Sequence, residues 1–236
     1  HTTDYQYTDE TIRNTTTGGT VYKDMNGKKS AENISQLALA NVDYDMQNRH
    51  HVSYNFMMIH ANTQSVGDYN GKNSIFSDDY ENLGFTRRQQ TNDNLLIVNQ
   101  LMTNWGLTKS ISLDAGASYN IVKGYEPDRR INNLTKAENG YTLLRGNSQQ
   151  RYFSALDEND LNVRAGLVYR LKDNVEEISS IRLGYTGRFV DDNFKATEYN
   201  LTVGRVSTIP SLDDFSLDDY YNQENLSSGW FEIQKN

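Results

Sequence analysis

The 236-residue chain has no cysteine, 2 prolines and 4 histidines, and it holds no run of about 18 apolar residues. Without cysteine there is no disulfide framework, no thiolate metal site and no thiol nucleophile. Without the apolar run there is no membrane-spanning helix, which agrees with a hydrophobic fraction of 36% and a mean hydropathy of -0.77. A transmembrane β-barrel escapes that exclusion, because its strands alternate apolar with polar residues and its loops are polar. Basic residues are scarce too: 23 Lys and Arg stand against 31 Asp and Glu, for a net charge of -8. No basic run is present to neutralise phosphates, so no nucleic-acid partner is expected.

Catalytic chemistry is missing in the same way. His1, His50, His51 and His60 do not pair with one another or with carboxylates at metal-ligand spacing, and His50 with His51 reads as a solvated turn. There is no glycine-rich phosphate loop and no nucleophile elbow. The paired acids Asp191 with Asp192, Asp213 with Asp214, and Asp218 with Asp219 lack EF-hand spacing and read as acidic loops. The expectation is no enzyme, no cofactor and no metal site. A chain that opens on His1 without a leader reads as a mature product or an excerpt of a longer protein.

Tyrosine is plentiful, with 16 against 8 phenylalanines. A Tyr-rich, Pro-poor chain suits β-structure whose rings sit between water and something apolar. The clearest strand runs from Ile111 to Ile121, with Ile111, Leu113, Ala115, Ala117, Tyr119 and Ile121 alternating with polar residues or glycine. At about 3.3 Å per residue it is about 36 Å long, and a tilt near 40° reduces that to the thickness of an outer-membrane hydrocarbon layer. Leu161, Val163, Ala165, Leu167, Tyr169 and Leu171 repeat the pattern, and so do Ile181, Leu183, Tyr185, Gly187 and Phe189. The opposite parity carries Arg164, Arg170, Lys172, Arg182 and Arg188. Weaker alternation marks Ala38 to Met46, Val52 to Met58, Leu95 to Leu101 (broken by Asn99) and Tyr199 to Val203.

Short links recur at every second connection, at residues 47–51, 106–110 and 173–180. The others read as long polar loops, roughly residues 62 to 88 and 123 to 158. Short and long connections taking turns is the layout of an outer-membrane barrel, with tight turns at one end and extended loops at the other. Trp105 falls at a short-link end, while Tyr119 and Tyr125 fall toward a long-loop end, as members of two aromatic girdles would. The expected fold is an all-β, antiparallel up-and-down transmembrane barrel. Its about seven to nine strands make an incomplete arc of a larger one.

The segment from Ser180 to Arg188, followed by Arg205, Val206, Ser207, Thr208, Ile209, Pro210, Ser211 and Leu212, resembles a late barrel segment of TonB-dependent outer-membrane receptors of the Bacteroidetes type. The family's frequent Gly-Asn-Pro turn is replaced by Asn225, Leu226, Ser227, Ser228 and Gly229, and the family's plug domain has no counterpart in the segment. The resemblance implies a bacterial outer-membrane receptor that captures a scarce small-molecule, glycan or peptide solute. Its implied partners are outer-membrane lipid, a TonB-type energy-coupling complex and a surface lipoprotein. It places Arg164, Arg170, Lys172, Arg182 and Arg188 toward the lumen. Ligand contacts would come from Tyr69, Phe76, Tyr80 and Phe85 in one outer loop and Tyr125, Tyr141 and Tyr152 in another. The alternatives are a passive porin-like or structural small barrel, and a soluble β-rich surface adhesin.

Overall fold

The structure is a computed structural model that describes residues 1–46, 49–174, 177–205, 208–209, 212 and 220–235; the side chains of residues 147, 172–174 and 177–178 lie outside that description. Its strands are β1 (Thr2–Thr15), β2 (Val21–Met46), β3 (His50–Asn73), β4 (Leu83–Gly106), β5 (Ile111–Ala137), β6 (Gly140–Leu143), β7 (Gly146–Asn174), β8 (Glu177–Val203), β9 (Thr208–Ile209) and β10 (Phe231–Lys235). One short helix, α1 (Gln223–Ser227), and a 3-10 turn at Asp78–Tyr80 complete the described elements. Strands take up 82% of the chain in one antiparallel sheet that does not close on itself. Along it the order is β1-β2-β3-β4-β5-β7-β8-β10, with β6 beside β5 and β9 beside β6. Each long strand therefore lies next to its neighbour in sequence, as in an up-and-down meander. No described helix is long and apolar enough to cross a membrane, which leaves strands unaddressed.

The expected strands are present but far longer than alternation marked them. The links at residues 107–110, between β2 and β3, and between β7 and β8 are short, and they share one end of the sheet, called lower here. The expected loops at residues 62 to 88 and 123 to 158 are mostly strand. β3 runs on to Asn73 and β4 starts at Leu83; β5 runs on to Ala137 and β7 starts at Gly146. Asp191 and Asp192, read as a loop, lie inside β8, and Tyr199 to Val203 continues that strand instead of forming a separate one. β1 and residues 21–35 of β2 gave no signal at all. Hydropathy marks a strand only where its two faces meet different media. In these upper halves polar residues stand on both faces of most strands, and cross-strand backbone bonds hold them in place.

The two buried apolar clusters lie at the upper end, while Val168 is buried in the lower sheet. Phe85, Leu134, Leu143, Leu201, Val203, Ile209, Tyr220 and Phe231 form one buried cluster, and Met25, Tyr69 and Phe76 form another. Tyr69 lies so close over Gly27 that a Cβ there would come within 2.6 Å of the ring. Its hydroxyl bonds Glu10 at 2.5 Å, and burial together with that carboxylate pushes the phenol up to about 12.

The β5–β7 ladder ends at Ile131 with Gln150, just before β5 takes up β6 at Leu134 with Leu143. The fully buried Gln149 fills that gap as a surrogate peptide. Its Oε1 accepts from the Asn133 N–H at 2.8 Å, and its Nε2 donates to the Asn133 carbonyl at 2.7 Å and to the Leu144 carbonyl at 3.2 Å. Gln149→Leu keeps the volume and orphans those groups, so a loss of about 1–3 kcal/mol is expected for each group left unpaired. Denaturant unfolding and faster amide exchange at Asn133 measure it.

Candidate functional site

Because successive side chains point to opposite faces, the register defines two surfaces in the lower sheet. Reading across β2, β3, β4, β5, β7 and β8, one face carries Val42, Tyr54, Leu101, Ala117, Val163 and Gly187 in one row. The next row toward the short links carries Tyr44, Val52, Thr103, Ala115, Ala165 and Tyr185, and a further one Met46, His50, Trp105, Leu113, Leu167 and Leu183. Among the described residues no element lies over these side chains: Leu183 is 76% exposed and Tyr185 62%. From Ile111 to Ile121 the apolar strip is about 33 Å long at about 3.3 Å per residue. Its polar intruders are tied down by tyrosines. Tyr54 Oη donates to Asn99 Oδ1 at 2.8 Å, and Tyr119 Oη donates to Asn159 Oδ1 at 3.0 Å.

The opposite face is polar. One row across it is Asn41, Asn55, Gln100, Ser118, Asn162 and Arg188, and the next is Asp43, Ser53, Met102, Gly116, Arg164 and Thr186. Amide bonds run along the first row, from Asn41 Nδ2 to Asn55 at 2.6 Å and from Asn55 Nδ2 to Gln100 at 3.3 Å. Arg188 reaches Asp160 at 3.1 Å and Glu158 at 3.8 Å. The face is acidic toward β2 and β3, where His51 lies 2.8 Å from Asp45 and 3.5 Å from Asp43, and basic toward β7 and β8.

The register brings Arg164, Arg170, Arg182 and Arg188 together on this polar face, as their parity requires. The expectation for the Lys172 side chain falls outside the described residues, and an irregularity between Arg170 and Lys172 interrupts the alternation there. The seven aromatic residues are not brought together. Tyr69, Phe85, Tyr125, Tyr141 and Tyr152 belong to strands instead of loops, while Phe76 and Tyr80 do lie in the β3–β4 connection. Tyr69, Phe76 and Phe85 are buried, and Tyr141 packs on the larger cluster, so these rings are taken up by packing. Tyr125 and Tyr152 point to opposite faces, with Tyr152 capped by the Arg129 guanidinium at 4.2 Å. The segment resembling a receptor's late strand continues into residues 206–207, 210–211 and 213–219, which lie outside the described residues.

Three features escaped the sequence reading. His50 and His51 open β3 instead of a turn: His50 stacks on Trp105 with centroids 4.7 Å apart, and His51 faces the other way. Near the top of the apolar strip the polar face also turns apolar, through Leu39, Met57 and Val98 in one row and Leu37, Ile59, Leu96 and Val122 in the next. The four consecutive apolar residues Leu95 to Val98 were the available signal. Higher up, where β5 bulges between Glu126 and Arg129, Asp128 joins Arg130 and Arg151, each at 2.6 Å. A bulge lets one carboxylate serve two strands.

Among known proteins, the chain matches no family model and no curated protein.

Burial works to raise the Asp128 pKa, but hydrogen bonds and charge from Arg151 and Arg130 outweigh it and hold the carboxyl below its ordinary value. A depressed folded pKa contributes stability above the unfolded value and loses it as pH falls through the folded one. A carboxyl-carbon NMR titration should place the Asp128 midpoint below that of free aspartate, with Arg151→Gln moving it up. A midpoint unmoved by that substitution would remove the ion cluster as its cause.

Proposed function

We propose that this chain is an arc of an outer-membrane transmembrane β-barrel that belongs to a solute-import receptor. One observation carries the reading: a single apolar face crosses six neighbouring strands at one height, backed by a polar face with arginines. A soluble sheet buries its apolar face on a second layer, and no described element covers this one. Hydrocarbon is the medium that suits it. Trp105 and His50 near its lower margin, and Tyr119, Phe189 and Tyr125 toward its upper one, supply rings for the two interfaces.

The edges support the same reading. Among the described residues β1 pairs only with residues 21–35 of β2, and β10 only with Tyr199–Val203 of β8. The remaining lower edges of β2 and β8 lie at the height of the apolar strip with no described strand beside them. Lipid does not tolerate unpaired backbone groups, so strands of a larger barrel continue the sheet on both sides. In this reading the upper halves stand clear of the membrane as a polar collar, which presents solute to the pore. Import driven by a TonB-type complex, a lipoprotein partner and the location in a bacterial outer membrane follow from the resemblance to TonB-dependent receptors. A passive porin-like barrel shares the strands and differs in lacking energy coupling.

Since the native chain has no cysteine, single-cysteine variants report one site each. In liposomes, a bimane probe at Leu183→Cys or Leu167→Cys should be quenched by lipid-borne quenchers, while Thr186→Cys and Ser118→Cys should react with a water-soluble maleimide. Equal reaction of all four with the aqueous reagent in membrane-bound protein defeats the barrel reading.

A further inference from the structure

We infer that the polar face of the lower sheet holds an oxyanion site centred on Arg164, which takes a small solute carrying a carboxylate or phosphate group. The inference deepens the barrel reading and rests on it for the site's place along a pore. A cavity of about 420 Å³ opens on this face, within the usual range for small-molecule sites. Gln100, Ser118, Asn162, Arg164, Thr186 and Arg188 line it, and among the described residues no carboxylate does. A wall that supplies only neutral groups and guanidinium selects against cations and for anions.

The two guanidiniums differ. Arg188 is spent on Asp160 and Glu158. Arg164 has no ion-pair partner among the described residues, and its Nη2 donates to Met102 Sδ at 3.4 Å, a weak acceptor. An oxyanion replaces that sulfur with a charge-assisted pair of N–H donors matched to its own geometry. Gln100 accepts from Asn55 through its carbonyl oxygen, which leaves its NH2 group as a donor, and Ser118 and Thr186 add hydroxyls. The floor is open because Gly116 faces Arg164 across the strand pair; a Cβ there would stand 3.1 Å from the guanidinium Nε.

Calorimetric titration of the detergent-solubilised chain at fixed ionic strength, with inorganic phosphate in one arm and glucuronate in the other, tests the site. Saturable binding is expected in at least one arm, and the arm that binds tells phosphate from carboxylate. Arg164→Gln should weaken it at least tenfold, Arg164→Lys less, and Arg49→Gln, in the lower turn and off this cavity, not at all. Absence of saturable binding in both arms overturns the site, as does a loss no greater in Arg164→Gln than in Arg49→Gln. If Arg164→Gln fails to fold, the Arg164→Lys and Arg49→Gln pair carries the same comparison. Lipid quenching at Leu183→Cys is read separately: insertion without anion binding sinks the site alone, and anion binding without insertion sinks the barrel alone.

Discussion

A buried backbone N–H or C=O left without a partner costs about 1–3 kcal/mol, and the strand pairing this demands organises the sheet. Little else holds the lower sheet, because the buried apolar clusters lie at the upper end. Long antiparallel ladders flank β3, β4, β5 and β7 on both sides over most of their length. Gln149 shows how strict the demand is, since a side-chain amide stands in where the β5–β7 ladder gives way to β6.

Pairing also creates the two faces. Once the register is set, side-chain parity sorts Leu167, Leu183 and Tyr185 to one surface and Arg164, Arg182 and Arg188 to the other. A slip of one residue would exchange the surfaces wholesale. The polar exceptions on the apolar face are handled locally: Asn99 and Asn159 each receive a tyrosine hydroxyl. This gives a physical reason for the tyrosine excess beyond interface anchoring, because a ring can pack against apolar neighbours while its hydroxyl satisfies an amide.

The aromatic residues near the loops show how the same chemistry serves different ends. Tyr69, Phe76 and Phe85 seemed suited to ligand stacking because they sat in polar sequence, yet they are the packing that anchors the collar. Arg164 has the opposite history. Its parity was readable, while its contact with Met102 and its seat over Gly116 depend on neighbours more than 40 residues away.

By itself the sequence determined the all-β class, the six lower strands, the short lower links and the shared face of the arginines. Each follows from period-two alternation, a local property that survives without knowledge of any partner. Tertiary structure alone decided how far the strands run, that residues 2–35 pair at all, and which aromatics are buried. Those depend on contacts between distant segments, and strands with polar residues on both faces leave no mark in hydropathy. The apolar patch of Leu37, Ile59, Leu96 and Val122 is assembled by four strands, and only β4, through the run Leu95 to Val98, carried a local sign of it.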